Sequence, residues 1–363
     1  MKIGLVIYGT LSTVSGGYLY DRKLVDYLRE QGDSVEIISL PWRNYAAHLT
    51  DNFHFRLPNG LELLIQDELN HPSLIASNLQ PHPYPVISLV HHLRCSEKRH
   101  PLPNAIYRWI EARYLRSVDG FIFNSETTRA NVENIAGRNL PHVVAHPPVD
   151  KFSTQITKQQ VEERAAAGPL RILFLGNVIP RKGMHTLLEA VRIAHREVTL
   201  DVAGSLKTDP PYVEKMQQAV LEFGLSSRIT FHGSVSDQKL HSLLGAAHLL
   251  AVPSSYEGYG IAYLEGMGFG LPAIGTDAGA AREVIREGKT GFLISPEDAG
   301  KLANHLDRLA GDRTLLVEMS LNALDWYRQQ PSWAESAARI REFLYAQAEI
   351  FPKHSGAGEK ESK

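Results

Sequence analysis

Short apolar runs of strand length alternate with amphipathic stretches along most of this chain, and the alternation starts twice. In the first half KIGLVIY (2–8) and SVEIISL (34–40) read as strands. Between them YLYDRKLVDYLREQG sets Leu19, Leu24, Val25 and Leu28 on one helical face before Gly32 ends it. The unit recurs: PVISLV precedes an aromatic-rich helix over 102–117, and GFIFN precedes SETTRANVENIA, with Ser125 as N-cap, before VVAH. Residues 151–169, KFSTQITKQQVEERAAAGP, break the rhythm with a polar stretch closed by Gly168 and Pro169. It restarts with LRILFLG, a helix from 183, VTLDVAG, a helix over 211–223, RITFHG, a helix over 237–246 and HLLAVPS. Such alternation of strands with helices argues for a parallel sheet in each half, so the fold class is α/β and doubly wound.

The expected organisation is a first Rossmann-like domain over 1–150, a connector over 151–169 and a second Rossmann-like domain over 170–330. A helix over 331–350 is expected to pack back on the first domain, and 351–363 to be a disordered tail. With 43% hydrophobic and 21% charged residues and a formal net charge of -2, nothing global attracts the chain to nucleic acid. Cys95 is the sole cysteine, so no intramolecular disulfide forms and a reducing cytoplasm is the expected setting. The run in MKIGLVIYGT is too short for a secretory segment, and nowhere do about 18 apolar residues follow one another.

In open α/β sheets ligands sit beyond the carboxyl ends of strands, so three turns hold the candidate chemistry. TLSTVSGGY (10–18) puts Gly16 and Gly17 ahead of a helix, where bare amides can approach an anion. LGNVIPRKGM (175–184) carries Arg181 and Lys182 into a helix start, a place where the dipole disfavours cations unless an anion is bound. PSSYEGYGIAYLEGMGFGLP (253–272) sets Glu257 in a turn and Glu265 about one turn inside the helix that follows, with the amides of Tyr259, Gly260 and Ile261 between them as a phosphate site. Read singly, each acid would be a solvated loop carboxylate or a dipole-stabilising first-turn residue; the glycines around them make that reading poor for the pair.

The stretches LRILFLGNVIPRKGMHTLLEAV, ITFHGSVSDQKL and PSSYEGYGIAYLEGMGFGLPAIGTDAGAAREVI resemble the nucleotide-sugar domain of retaining glycosyltransferases with the GT-B fold. The family is glycosyltransferase family 4, the glycosyl transferases group 1, which includes sucrose synthase and bacterial mannosyltransferases. Weaker matches, SGGYLYDRKLVDYLREQGDSVEII, VHHL, VDGFIFNSETTRANV and HPPVDKF, extend the resemblance over nearly the whole chain. It implies two Rossmann-like domains facing a central cleft, and transfer of a sugar from a nucleotide-diphosphate sugar, of UDP or GDP type, to a glycan or lipid-linked hydroxyl acceptor, with no other cofactor. It implies that Glu265 holds the ribose, Glu257 faces the transferred sugar, Lys182 neutralises the diphosphate, Gly17 approaches that diphosphate and the backbone at Val235 meets the base. His91, and less so its neighbour His92, aligns with the active-site histidine.

Negative charge growing on the diphosphate as the glycosidic bond breaks would be met by Lys182 and helix amides, without a metal, and no metal-ligand cluster is apparent in the sequence. The family retains anomeric configuration, by front-face attack in which the leaving phosphate takes the acceptor's proton, so Glu257 is expected to act as a positioning or electrostatic group. Asn177 stands where the family usually has arginine; Arg181 could supply the missing charge. That departure feeds an alternative, a catalytically silent homologue that binds a nucleotide-sugar or a partner enzyme. Two decoys fall away: EGKTG (287–291) lacks the first glycine of a phosphate loop because Glu283 occupies its place, and no G-x-G-x-x-G follows either leading strand. Finally, LRCSEKRHPLPNAIYRWIEARYLR (93–116) interleaves arginines and a lysine with Tyr107, Trp109 and Tyr114, a composition that suits either peripheral contact with an anionic membrane surface, here the inner face, or a solvated helix face with a few core aromatics.

Overall fold

The computed structural model describes residues 1–352 apart from 14, 98, 148–155 and 167. The tail expected over 351–363 lies outside the described residues from 353 on, as does part of the connector. The chain forms two compact units: Met1–Cys95, Arg99–His146 and Trp333–Lys363 make the first, and Ser96–Lys98 with Pro147–Ser332 the second.

The first unit is built on a six-stranded sheet of β1 (Lys2–Tyr8), β2 (Ser34–Leu40), β3 (Leu63–Asp67), β4 (Val86–Val90), β5 (Gly120–Phe123) and β6 (His142–Val144), in the order β2-β1-β3-β4-β5-β6. All its ladders are parallel. β3 and β4 are buried at every residue because helices cover both faces of the sheet. β3, from LELLIQD, is absent from the pattern read above. The helix Gly16–Glu30 buries Leu24, Val25 and Leu28 as expected, but leaves Leu19 half-buried and takes in Tyr18, Tyr20 and Asp21 instead. Ser125 caps the helix Glu126–Ala136 by accepting from Thr128 N at 3.0 Å.

The helix Trp333–Ile350 belongs to this unit, burying Ile340 and Leu344. Arg341 Nε lies 2.7 Å from Asp33 Oδ2, and Tyr345 OH and the chain's amino group donate to Asp33 Oδ1 at 2.6 and 2.9 Å.

The second sheet holds β7 (Leu170–Leu175), β8 (Val198–Ala203), β9 (Ile229–Gly233), β10 (Leu249–Ala251), β11 (Ala273–Thr276) and β12 (Gly291–Ile294), ordered β12-β11-β10-β7-β8-β9 and again parallel throughout. Part of the expected connector is a helix here. Lys158–Ala165 starts with a capping box between Thr157 and Gln160, and Arg164 donates to Phe269 O and Gly270 O at 2.9 and 3.0 Å, so this helix packs within the second unit.

Both sheets reverse direction of growth once, the first between β1 and β3 and the second between β7 and β10. Loops leaving the carboxyl ends at such a reversal diverge and open a crevice.

Candidate active site

Most residues selected from the sequence sit at these two reversals, one set in each unit. In the second unit the relevant loops follow β7 and β10. The β7 loop makes a short 3-10 turn at Pro180–Lys182 and enters the helix Met184–Ile193 through Gly183. Gly183 has φ +72°, and a Cβ there would lie 2.0 Å from Pro253 O, so glycine alone lets the two loops touch. Ser255 N donates to Arg181 O at 2.8 Å, and Arg181 Nη1 donates to Tyr256 O at 2.9 Å.

This backbone clamp brings Lys182 Nζ to 2.5 Å from Glu257 Oε1, the oxygen that also accepts from Ser254 Oγ at 2.6 Å. The sequence reading gave these two residues separate tasks; the structure makes them an ion pair with side chains only 17% and 9% exposed. Burial lowers the pKa of Lys182, against the pull of the Glu257 charge. Burial would raise that of Glu257, yet the Lys182 and Arg181 charges and two hydrogen bonds hold it below the usual carboxylate range. Neither charge would be tolerated there without the other.

Glu265 lies half-buried in the helix Ile261–Met267, which is fixed to the strand end by Tyr263 OH donating to Val252 O at 2.6 Å. Gly260 caps that helix and Tyr259 before it is buried. Asn177 accepts from Ser205 N at 3.3 Å, while Val178 N donates to Ser205 O at 3.1 Å; the carboxamide oxygen therefore ties the β7 loop to the turn after β8. Val235 lies half-buried between β9 and the helix Asp237–Ala246, packed against the core.

In the first unit Gly16 and Gly17 open the helix Gly16–Glu30, whose cap Ser15 accepts from Tyr18 N at 3.2 Å. His91 follows β4, and its Nε2 lies 2.9 Å from Asp21 Oδ1. Gly17 is one helical turn before Asp21, and a Cβ on it would stand 3.1 Å from His91 Cδ2. Glycine at 17 thus makes a seat for the imidazole, a role distinct from the anion contact expected for it. Asn124 Nδ2 donates to His91 O at 2.7 Å, and the Tyr20 ring meets His91 edge-on at 5.4 Å. His92 is half-buried beside it.

Sequence reasoning missed Asp21 and Asp67. Asp21 recurs in phase with Leu24, Val25 and Leu28, so a charge on the buried face was the available signal. Among the described residues two groups could hold a metal ion, Asp21 with Asp67 and His91, and Glu68 with His71 and Glu111, where the sequence showed no cluster. In the second group the ligand atoms of Glu111 and His71 already have protein partners: Glu111 accepts from Arg94 N at 2.5 Å and Cys95 N at 3.0 Å, and His71 meets Tyr45 OH at 2.8 Å and donates from Nδ1 to Glu68 O at 3.0 Å.

The basic and aromatic stretch resolves into the helix Pro101–Leu115. Tyr114 is fully buried, donating to Ser88 Oγ at 3.0 Å, and Glu111 is also buried, so both leave the outer face. Leu102, Ile106 and Trp109, 73%, 59% and 62% exposed, form an outward row, with Arg113 5.1 Å from the Trp109 ring.

Residues 155–326 match the family model described as Glycosyl transferases group 1. The chain is 28% identical over 240 residues to a GDP-mannose-dependent alpha-(1-6)-phosphatidylinositol monomannoside mannosyltransferase of Mycobacterium tuberculosis, covering 62% of this chain and 61% of that one. It is 26% identical over 255 residues to a D-inositol 3-phosphate glycosyltransferase of Nocardia farcinica, covering 66% and 55%. The match thus spans less than two thirds of the length of these relatives. Among solved structures, the sucrose-phosphate synthase of Thermosynechococcus elongatus superimposes with a TM-score of 0.78 at 19% identity, covering 95% of this chain and 98% of that one. Anabaena HepE, solved with UDP and glucose, gives 0.74 at 17% identity over 95% and 100%. The fold is GT-B.

Proposed function

We propose that this chain, whose residues 155–326 match the family model of group 1 glycosyl transferases, moves a sugar from a nucleotide-diphosphate sugar to a hydroxyl acceptor, with retention of configuration and without a metal. The Lys182–Glu257 ion pair at the reversal of the second sheet carries the reading. A buried ammonium balanced by a carboxylate is a poised anion site: an arriving diphosphate competes for Lys182 and frees Glu257 to face the sugar. As the glycosidic bond lengthens, charge develops on the diphosphate, and Lys182 with the amides of Tyr259, Gly260 and Ile261 stabilises it. Arg181, on the same loop, adds the second positive charge that Asn177 cannot. Glu265 accepts from the ribose hydroxyls and the backbone at Val235 meets the base; within the first unit His91, seated against Gly17, takes the part of the active-site histidine.

A lipid-linked acceptor is favoured over a free glycan by the outward row Leu102, Ile106 and Trp109 with exposed Arg108, Arg113 and Arg116, an arrangement that rests in the interface of an anionic leaflet on the cytoplasmic side. A relative named for a phosphatidylinositol-based acceptor is in keeping with this. No helix among the described residues is long and apolar enough to cross a membrane.

Melting curves with UDP, GDP and ADP and their sugars test the donor. One base should stabilise the protein by about 2.7 kcal/mol at a hundredfold excess over its Kd, in EDTA as well as in magnesium. No stabilisation by any of them overturns the reading, and stabilisation only with a divalent ion removes its metal-free part. The silent-homologue reading, motivated by Asn177, predicts binding without any slow hydrolysis of the donor.

A further inference from the structure

Arg94 follows β4 in the 3-10 turn Arg94–Ser96, beyond the carboxyl end of the first sheet. The backbone of that turn is tied down. Both oxygens of the buried Glu111 carboxylate accept from it, Oε1 from Arg94 N at 2.5 Å and Oε2 from Cys95 N at 3.0 Å, and Asn104 Nδ2 donates to Cys95 O at 2.9 Å. The guanidinium is held as well, over two aromatic rings. Its central carbon lies 5.0 Å from the ring of Tyr45, in the short helix Tyr45–Leu49, and 4.6 Å from that of Tyr107, in Pro101–Leu115. The two rings meet edge-to-face at 4.8 Å, and Tyr45 is fixed through its OH, 2.8 Å from His71 Nε2.

Contact with ring faces uses none of the in-plane N–H donors of a guanidinium. Protein groups do not use them either. The Arg94 guanidinium makes no hydrogen bond or ion pair among the described residues, and Nε is enclosed without a partner although the residue is only half-buried. The acids nearby are engaged elsewhere, Glu111 with the turn and Glu68 with His71 at 3.0 Å. Arg99 adds a second positive charge, 5.3 Å from the same Tyr107 ring.

We propose that Arg94 receives a phosphate group borne by the acceptor close to its accepting hydroxyl. A guanidinium held flat presents a fork of donors that matches two oxygens of a phosphate, and because the rings fix it beforehand, little side-chain freedom is lost on binding. His91 stands three residues earlier on the same segment, a stretch of backbone that spans at most about 10 Å. Hydroxyl and phosphate therefore belong to one small head group, a phosphorylated polyol that is either a free phosphomonoester or the head group of a phospholipid. Arg94 decides which acceptor is held and takes no part in the bond exchange.

This assignment rests on the glycosyltransferase reading, but the phosphate contact is measurable without a donor. The full chain is titrated calorimetrically at constant ionic strength with inorganic phosphate, glycerol phosphate and glycerol, and by flotation with vesicles of phosphatidylcholine with and without phosphatidylglycerol. A phosphate-bearing probe should bind where glycerol does not, and Arg94→Gln should weaken that binding about 10- to 100-fold, as loss of charge-assisted hydrogen bonds does. Arg94→Lys should restore only part of it, because an ammonium keeps the charge and loses the fork. Tyr107→Leu, which leaves Arg94 charged but free to swing, should weaken it by a smaller factor. Lys182→Met combined with Glu257→Gln should leave it intact, because that change removes only the diphosphate site. Binding of the soluble phosphates assigns a free phosphomonoester; binding of the anionic vesicles alone, lost in Arg94→Gln, assigns a lipid head group. Unchanged binding in Arg94→Gln, loss in the Lys182 and Glu257 double variant, or no binding of any phosphate-bearing probe overturns the proposal. Should Arg94→Gln fail to fold, wild-type affinity in both Arg94→Lys and Tyr107→Leu overturns it instead. Once a donor is known, Arg94→Gln should raise the acceptor KM and leave the Kd of the nucleoside diphosphate nearly unchanged. Phosphate held by Arg94 in a protein that transfers no sugar would sink the functional reading and leave this site standing. Transfer to a phosphate-free acceptor with the same KM in Arg94→Gln would do the reverse.

Discussion

The two sheet reversals solve the same problem in opposite ways. In the second unit, one buried cation and one buried anion, Lys182 and Glu257, cancel at 2.5 Å. In the first, two buried acids stand beside one imidazole, and burial raises the pKa of Asp67 while the neighbouring acids raise that of His91. An ion pair costs the fold little while intact but fails badly when halved. A cluster of linked titratable groups can change charge by titrating, so it responds to pH and substitution more gradually. The pair therefore suits a place where an external anion arrives and exchanges partners. The cluster suits a place where one ring must keep its orientation, held by Asp21 at 2.9 Å and by Asn124 on its backbone.

The comparison breaks most severely at Lys182. Lys182→Met should reduce turnover by about 10²- to 10³-fold, the usual loss when one preorganised charge-stabilising donor is removed. It should also cost roughly 3 kcal/mol in urea unfolding by stranding Glu257. Adding Glu257→Gln to it should recover most of the stability and none of the turnover; recovery of both would mean that the pair is structural only. Next in size, His91→Ala should lower turnover by about 10²-fold while His92→Ala changes it little, measured under the same donor-saturated conditions. The reverse ranking would move the active ring one residue along. The smallest effect sharpens the contrast inside the second unit. Glu265→Ala, outside the ion pair, should weaken calorimetric binding of the bare nucleoside diphosphate by about 1.5 to 3 kcal/mol, the worth of hydrogen bonds to a charged group, whereas Glu257→Gln should leave it nearly intact. Equal affinity in wild type and Glu265→Ala would take the ribose away from Glu265.

Much of the second half was legible because its signals are local. The run after LRILFLG with its lysine at a helix start, and the two acids spaced around glycines, declare an anion site within a few residues each. The first half was read less completely. LELLIQD carries no clear strand signal, although β3 is buried at every residue, because a short apolar run ending in acids reads equally well as a loop approach. Asp67 was lost with it. Asp21 was passed over because a lone acid in a helix is ordinarily solvated, and only its phase with Leu24, Val25 and Leu28 marks it as inward. Tyr114 and Glu111 are buried, so at Tyr114 the core-aromatic alternative holds, while Leu102, Ile106 and Trp109 face outward. Composition cannot tell which face of a helix a neighbouring sheet will cover.

By itself the sequence determined that this protein is two parallel α/β layers, since a period of two or a continuous apolar run, alternating with a period of 3.6, can bury its surface in hardly any other way. It also determined where loops would carry glycine, lysine and paired acids. Strand order was decided only by the tertiary structure. Growth outward from β1 and β3 in one sheet, and from β7 and β10 in the other, depends on which long crossover closes first and on which helix faces fit, and no local periodicity encodes that. Because the order sets which loops meet, it alone joins Lys182 to Glu257 across 75 residues and Asp21 to His91 across 70. Charges that look independent along the chain become coupled once burial removes the water that would have screened them.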